Sequence, residues 1–392
     1  MIPYGKQSIS QDDIDAVVDV LKSDWLTQGP KVPEFESAIS NYCGAQHACA
    51  TNSATSALHI ACLALGVAKN DSVWTSPISF VASANCALYC GATIDFVDID
   101  LETGNMSVNA LENKLKAAKE NNCLPKVVIP VHLAGQSCNM QAIHKLALKY
   151  DFKIIEDASH AIGAKYLGKQ VGCCEFSDIT VFSFHPVKII TSAEGGMAVT
   201  NVQKLAKRLK RLRSHGITSD PAEMTEPSHG PWYYQQIELG FNYRMTDLQA
   251  ALGLSQLNEM NSFIIKRNEL AGIYNDNLTH SNLIHLKQSV NHYSSYHLYI
   301  MRLVNSDSKH HKSVICHMRE SGINAHVHYI PIHLQPYYKS LGFKLGDYPN
   351  AERFYNQAIT LPLHPTLAPE QQDKVIQTLK NYLIKTIITT KV

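Results

Sequence analysis

The sequence predicts an α/β protein, with a large domain built on a mainly parallel sheet and a smaller C-terminal α+β domain. The first observation is that short β-branched segments alternate with helical stretches between residues 73 and 200, a pattern typical of parallel sheets covered by helices. The second is that this alternation ends at a long helical region, after which strand candidates become sparse. The third is size, because 392 residues with 45% hydrophobic content can bury a core in more than one lobe.

A capping signal predicts the first helix. Ser10 and Asp13 stand at the spacing of a capping box, with Asp in place of the usual Glu. The helix that follows is expected to carry one apolar stripe, made of Ile14, Val17, Val18 and Leu21. We expect residues 1–25 to form an N-terminal arm and helix, residues 26–255 the large domain, and residues 256–392 the small C-terminal domain.

The buried strands of the large domain are predicted at 73–76, 93–97, 126–131, 152–157, 179–184 and 196–200. A helical region over 246–274 is expected to bridge the two domains, and the basic run 204–213 is predicted to be an amphipathic helix with a solvated face. The polar segment 218–230, with two prolines, is predicted to be a mobile loop. The small domain has strand candidates at 299–304 and 325–328 and a last helix over 369–384.

Composition narrows the class of protein. The 35 basic and 34 acidic side chains nearly cancel, which disfavours a nucleic-acid protein held mainly by phosphate contacts. The first residues lack the apolar core of a signal peptide, and no stretch approaches the roughly 20 apolar residues of a membrane span. The ten cysteines include no CxxC pair, so we interpret them as reduced, buried thiols and expect a cytoplasmic protein.

Two segments could bind parts of a ligand. One could hold an anion, and the other could hold a cationic group. Residues 52–57, rich in small and hydroxylated side chains, open an apolar helix, and such a helix start favours an anion such as phosphate. An ordinary helix N-cap explains the same residues. Asp157 ends an apolar strand, so its carboxylate needs a cationic or hydrogen-bonding partner. A protonated ring nitrogen would serve, although a helix N-cap is the commoner use.

Three further segments carry candidate functional side chains. Lys188 lies between two predicted strands and before paired glycines, where a desolvated amine can become a nucleophile; isolated lysines in loops are usually surface residues. Phe80 follows a strand and could stack on a ring or pack in the core. Asn242 and Arg244 stand before a helix and suit phosphate oxygens. None of these segments is decisive singly, whereas their order along the chain is.

In that order the motifs resemble the DegT/DnrJ/EryC1/StrS family of sugar aminotransferases. The likeness extends over nearly the whole chain and rests on WLTQGP, EDASHA, SFHPVK with the following EGG, and GFNYRMTDLQAALGL. It implies a fold-type I transferase dependent on pyridoxal 5'-phosphate (PLP), with a seven-stranded sheet in the large, cofactor-binding domain. The spellings IPYGKQSI, NSATSAL and HVHYIPIH are similar to the branch that makes UDP-4-amino-4,6-dideoxy-N-acetyl-β-L-altrosamine for pseudaminic acid.

The resemblance also implies roles for individual residues. Lys188 would hold the cofactor as a Schiff base, Asp157 would pair with the ring nitrogen, and His160 would assist near the ring oxygen. The remaining cofactor contacts implied are Ala54, Thr55, Phe80, Ser183 and Asn242, the last supplied by the other subunit of a homodimer. The sugar-nucleotide pocket would be lined by Tyr4, Leu26, Thr27, Arg244, His326, Val327, His328 and Tyr329.

The implied reaction moves an amino group from L-glutamate to C4 of a UDP-linked 4-keto sugar, through the amine form of the cofactor (PMP). Two residues depart from the family pattern, because Ile189 replaces the usual proline after the lysine and Ala193 replaces a frequent glycine. Both could alter the rigidity of the loop, yet neither removes a reacting group. No nucleic acid or membrane is expected as a partner.

Several alternatives stay open. The same chemistry on another 4-keto sugar nucleotide is the nearest, and a non-catalytic PLP-binding regulator is the alternative of a different class. Deoxygenation on this scaffold is associated with loss of the lysine, which is present. A metal site at His326, His328 and His333 is disfavoured, because no carboxylate or cysteine nearby in the sequence completes it.

Overall fold

The computed structural model describes residues 1–389, with side chains as far as residue 384. Its strands are β1 His47–Thr51, β2 Ser72–Thr75, β3 Thr93–Phe96, β4 Val127–Ile129, β5 Lys153–Asp157, β6 Lys165–Tyr166, β7 Lys169–Gln170, β8 Ile179–Ser183, β9 Gly196–Thr200, β10 Ile217–Thr218, β11 Gln235–Gln236, β12 Leu283–His285, β13 His292–Tyr293, β14 Tyr299–Leu303 and β15 Ala358–Leu361.

The helices are α1 Gln11–Leu21, α2 Lys31–Cys43, α3 Ala54–Ala64, α4 Ala82–Tyr89, α5 Val108–Glu120, α6 Met140–Tyr150, α7 Gln203–Arg213, α8 Asp247–Asn277, α9 Ser308–Glu320, α10 Pro336–Ser340, α11 Pro349–Tyr355 and α12 Pro369–Thr389. Two 3₁₀ turns, Leu133–Gly135 and Ile332–Leu334, complete the described helical structure.

A seven-stranded sheet in the order β1-β9-β8-β5-β4-β2-β3 forms the centre of the large domain. The run from β3 to β8 is parallel throughout, β9 is antiparallel to β8, and β1 is antiparallel to β9. Neighbouring residues of β5 face opposite ways, since Ile155 packs in one hydrophobic core and Ile154 in another. The predicted mainly parallel sheet, buried on both faces, is therefore confirmed.

A smaller antiparallel sheet, β12-β14-β15, forms the centre of the C-terminal part, as the predicted α+β character requires. The long helix α8 runs from the large domain into the C-terminal part, and its buried arginine binds the end of the helix to that part. The Arg267 guanidinium donates to the backbone carbonyls of Tyr296, His297 and Leu363, at 2.9–3.2 Å. The extreme N-terminus also joins this part, because Ile2 donates its amide to the carbonyl of Gly322. The predicted domain boundaries stay a prediction.

The prediction of a strand at 325–328 is wrong. His326 exchanges one antiparallel pair of backbone hydrogen bonds with Thr360 of β15, and the ladder then stops. The reason is local: the amide of Val327 donates to the imidazole Nδ1 of His326 at 2.8 Å instead of to a neighbouring strand. Strands β1 and β15, by contrast, have no counterpart among the strands predicted from the sequence.

Helix α1 forms with its capping box, but the predicted apolar stripe does not face the core. Asp13 and Val20 are the buried residues of α1, whereas Ile14 is 47% and Leu21 57% exposed. A polar contact decides this orientation, because Gln256 of α8 donates to the Asp13 carboxylate at 2.6 Å. Ile14 and Leu21 are consequently turned outward in the single chain, while Val17 and Val18 are half-buried.

The cysteines and the basic helix follow the sequence interpretation in most respects. All ten cysteines are free, and six of them are buried, although Cys123 and Cys316 are exposed. Helix α7 is amphipathic and buries Leu209 and Leu212. Of the segment 218–230, the first residue ends β10, and residues 219–230 lie between β10 and β11 without helix or strand. Among the described helices, none combines the length and apolarity needed to cross a membrane.

Two glutamates of α2 provide a test of how the fold is stabilised. Glu36 is buried and accepts from Arg213 at 2.6 Å and from the Ala50 amide at 2.9 Å, whereas Glu34 pairs with Lys31 in solvent. Glu36→Ala should lower the free energy of unfolding by about 3 kcal/mol, because it leaves a buried guanidinium uncompensated. Glu34→Ala should cost less than about 1 kcal/mol. Denaturant unfolding followed by circular dichroism measures both, and equal losses would contradict this assignment.

Candidate active site

The candidate site lies at the carboxyl end of β5, where Asp157 is buried. Both of its carboxylate oxygens accept hydrogen bonds. Oδ2 accepts from the Ser83 hydroxyl at 2.6 Å, and Oδ1 accepts from the hydroxyl and the amide of Ser159 at 2.6 and 3.1 Å. Short bonds of this kind are typical of an ionised acceptor. These donors thus hold the carboxylate as an anion at the carboxyl end of β5.

Lys188 lies in the connection between β8 and β9, close to this carboxylate. Desolvation lowers the pKa of the Lys188 amine to about 8, while the negative charge of Asp157 acts in the opposite direction. The residue as a whole is half-buried. An amine with this pKa is present in both neutral and protonated form near neutral pH, as nucleophilic and acid–base roles require.

His160 is a neutral imidazole whose proton can be located from its partners. Desolvation lowers its pKa far below the usual range, with the charge of Lys188 adding to the effect. Its Nδ1 accepts from the Ala134 amide at 3.3 Å, so the single ring proton resides on Nε2. Nε2 lies 3.1 Å from the Tyr329 hydroxyl, which therefore accepts from His160 and keeps its own proton for another acceptor.

Residues 326–329, which follow α9, bring imidazole and phenol rings next to Tyr4 and His160. The His328 ring packs against Tyr4, with ring centroids 5.1 Å apart, and against His326 at 4.7 Å. Desolvation, with the charges of His326 and Lys188, lowers the pKa of His328 to about 3. Val327 packs on the core of the large domain. Burial raises the pKa of the Tyr329 phenol, with Tyr4 and Asp157 contributing.

The start of α3 forms a cradle with free backbone donors. Among the described residues no protein acceptor takes the amides of Ala54 and Thr55, while the N-cap Ser53 accepts from Ser56. Gly196 allows the cradle to form, because a Cβ at that position would lie 2.5 Å from the Ala54 nitrogen. Ser183 is the strand partner of Gly196, the glycine next to these donors, and the helix start favours an anion.

The other predicted site residues have no described contact to Lys188 or Asp157. Phe80 is 61% exposed in the connection from β2 to α4. Leu26 and Thr27 are exposed and bind the beginning of α8, through the amide of Asp247 and a bridge to Thr246. Exposed Asn242 and half-buried Arg244 precede that same helix.

Four site residues were missed by sequence reasoning. Ser79, Ser83 and Ser159 form hydroxyl contacts around Asp157, and the buried His297 ring lies 4.4 Å from the ring of His160. The only signal was that Ser159 belongs to the EDASHA motif. Ser83 and His297 come from distant parts of the chain, so only folding reveals their proximity.

The histidines considered as metal ligands have other partners. His333 lies 3.0 Å from Glu352, whereas His326 and His328 stack on each other beside Tyr4. Within the described part of the chain, no group of three or more histidine, cysteine, aspartate or glutamate side chains is arranged to hold a metal ion.

Comparison with known proteins decides the family. Residues 7–380 match the DegT/DnrJ/EryC1/StrS aminotransferase family. The chain belongs to this family. The UDP-4-amino-4,6-dideoxy-N-acetyl-beta-L-altrosamine transaminase of Campylobacter jejuni subsp. jejuni serotype O:23/36 (strain 81-176) is 39% identical over 388 residues, with 98% of each chain covered.

Two solved structures show the same fold. Helicobacter pylori PseC, an aminotransferase of pseudaminic acid biosynthesis, superposes with a TM-score of 0.88 at 34% identity, covering 97% of this chain and 98% of its own. Spr1654 from Streptococcus pneumoniae, assigned as a sugar aminotransferase and solved in its PLP form, has a TM-score of 0.88 at 32% identity, with coverage of 97% and 98%. The protein is therefore a PLP-dependent sugar-nucleotide aminotransferase with the fold-type I architecture.

The chemistry of the residues in the site fits PLP independently of the similarity to other proteins. The free amides of Ala54 and Thr55 suit the phosphate, the anionic Asp157 suits a protonated ring nitrogen, and the desolvated Lys188 suits the aldehyde. These three features occupy neighbouring strand ends of one sheet.

The pKa of Lys188 makes a direct prediction. Because burial lowers this pKa from 10.5 to about 8, the apoprotein should form a borohydride-trappable adduct with PLP that increases with a midpoint near pH 8. Near neutral pH the neutral fraction should exceed that of an ordinary lysine on the order of 100-fold. Mass spectrometry of the Lys188 peptide measures the adduct, with Lys188→Ala as the blank. A midpoint near 10.5 would refute the desolvated amine.

Proposed function

We propose that this chain transfers the amino group of L-glutamate to C4 of a UDP-linked 4-keto-6-deoxy-N-acetylhexosamine, giving UDP-4-amino-4,6-dideoxy-N-acetyl-β-L-altrosamine for pseudaminic acid. The observation that carries the aminotransferase chemistry is the desolvated Lys188 amine, which lies within the electrostatic influence of the buried Asp157 carboxylate. The similarity to the C. jejuni transaminase and to PseC supports the sugar assignment.

The residues divide the work as follows. Bound PLP supplies an aldehyde that combines with amines and a ring that accepts an electron pair. Lys188 carries a proton from the donor Cα and returns it during the transfer, which its pKa of about 8 allows in both directions. Asp157 keeps the ring nitrogen protonated. The amides of Ala54 and Thr55, with the Ser183 hydroxyl, bind the phosphate.

His160 acts through Tyr329 in this proposal. Both imidazole nitrogens are engaged by Ala134 and Tyr329, so the free proton for a ligand oxygen belongs to the Tyr329 hydroxyl. Phe80 covers one face of the ring.

The sugar pocket is proposed to combine two groups of residues. Tyr4, His326, Val327 and His328 form its wall next to Lys188, and Leu26, Thr27 and Arg244 line its entrance at the beginning of α8. Because the pKa of His328 is lowered to about 3, this ring is neutral at physiological pH, and Arg244 is the cation proposed to bind the diphosphate.

Substitution of the two central residues tests the chemistry. Lys188→Ala should abolish turnover, and Asp157→Ala should reduce kcat by at least about 100-fold with some PLP still bound. A non-catalytic PLP-binding regulator would instead show no turnover in the unaltered protein. Production of 2-oxoglutarate from glutamate measures this.

The identity of the sugar is tested with a panel of 4-keto-6-deoxy UDP sugars and NMR of the product. A product of another ring configuration would replace the altrosamine assignment.

A homodimer is part of the proposal. Apolar side chains of the N-terminal arm and helix, and of the residue that follows them, are about half exposed in the single chain: Ile9, Ile14, Leu21, Trp25 and Leu26. Leu239, three residues before Asn242, is 79% exposed. Exposed apolar surface of this kind marks an interface, and its position supports delivery of Asn242 to the phosphate site of the other subunit.

Subunit mixing tests the role of Asn242. Lys188→Ala and Asn242→Ala chains should each be inactive or strongly impaired as pure proteins. If Asn242 acts across the interface, a mixed dimer contains one site with both native residues, and refolding the two together should restore about a quarter of the native activity. If Asn242 acts within its own chain, no mixed site is complete, and the absence of recovery would overturn the shared site.

A further inference from the structure

A chain of serine hydroxyls leads to the carboxylate of Asp157. Ser83 Oγ lies 2.6 Å from Asp157 Oδ2, and Ser79 Oγ lies 2.7 Å from Ser83 Oγ. Both serines are buried, with 1% and 4% of their surface exposed. They come from α4 and the turn before it, whereas Asp157 ends β5. Neither serine is among the cofactor-binding or substrate-binding residues proposed above.

The direction of these hydrogen bonds follows from the number of protons. An ionised carboxylate only accepts, so the single hydroxyl proton of Ser83 is donated to Asp157. The contact between the two serines must then be made by the proton of Ser79, which is donated to Ser83. The chain therefore runs Ser79 to Ser83 to Asp157, and each donor polarises the next.

The lone pairs of Asp157 show which oxygen can bind a further donor. Each carboxylate oxygen offers about two acceptor positions. Oδ1 already takes two donors, the amide and the hydroxyl of Ser159, whereas Oδ2 takes one, the hydroxyl of Ser83. The oxygen left to accept a ligand N–H is thus Oδ2, the same atom that Ser83 holds.

We propose that Ser83, oriented by Ser79, is a positioning residue that aligns Asp157 Oδ2 for the ring N–H of PLP and keeps the carboxylate ionised; this rests on the proposed function. Rotation of an aspartate carboxyl about its last torsion is soft, so anchors on both oxygens are needed to define its plane. Ser159 anchors Oδ1 and Ser83 anchors Oδ2. Hydrogen bonds to the charged form also favour that form.

The test uses holoenzyme and two measurements on Ser83→Ala. We expect kcat to fall roughly 10- to 100-fold, with a smaller change in KM for glutamate, because one charge-assisted bond to the working oxygen is lost. We also expect the pH midpoint of the visible absorption of bound PLP to rise by on the order of one unit. A less anionic Asp157 retains the ring proton less well, and a less positive ring makes the nitrogen of Lys188 harder to deprotonate.

Matched variants separate positioning from simple packing. Ser83→Thr retains the hydroxyl and should restore most of the shift in the absorption midpoint. Ser177→Ala removes a hydroxyl that donates to Glu156, the preceding carboxylate of β5, and should leave the midpoint unchanged. A native midpoint and native kcat in Ser83→Ala would overturn the proposal, and so would an equal shift in Ser177→Ala.

A second variant keeps the test decisive if Ser83→Ala does not fold. Ser79→Ala leaves the Ser83 hydroxyl in place and should shift the midpoint in the same direction by a smaller amount; an unshifted midpoint would count against the directed chain. The aminotransferase assignment fails separately, through native turnover in Asp157→Ala. If Ser83→Ala has the native kcat and absorption midpoint while Asp157→Ala is impaired, the positioning role alone is refuted.

Discussion

A carboxylate at the end of an inner strand must be compensated, and much of the site is arranged around meeting that requirement for Asp157. Transfer of an unpaired anion into a protein interior is costly enough that the group would take up a proton instead. Three donors from Ser83 and Ser159 hold it as an anion. Because it remains charged, it opposes the desolvation of Lys188, and the amine keeps a pKa that permits proton transfer in both directions.

The imidazoles nearby have the opposite property. His160, His297 and His328 are desolvated, and the positive charge of Lys188 lowers the pKa of each one further. They serve as neutral packing and hydrogen-bonding groups near the lysine. Lys188, with a pKa of about 8, is consequently the group among these four that changes protonation near neutral pH.

The small domain takes part in this arrangement, although the principal groups belong to the large one. Tyr329 binds His160, and His297 packs against its ring. Arg267 of α8 holds the backbone of residues 296, 297 and 363 together, which sets the position of His297. Residues of the C-terminal part therefore complete a site whose principal groups come from the large domain.

The sequence by itself determined the α/β class, six strands of the central sheet, the family, and the central pair Lys188 and Asp157, because these depend on local hydrophobic periodicity and on motifs of contiguous residues. Tertiary structure decided the outward face of α1, the loss of the strand at 325–328, and the hydroxyls that hold Asp157. The face of α1 and the Ser83 anchor depend on polar contacts between distant segments, Asp13 with Gln256 and Ser83 with Asp157, whereas the strand is lost to a contact between the neighbours His326 and Val327. In each case a side chain competes for a polar partner, and no hydrophobic pattern in the sequence encodes which donor will reach which acceptor.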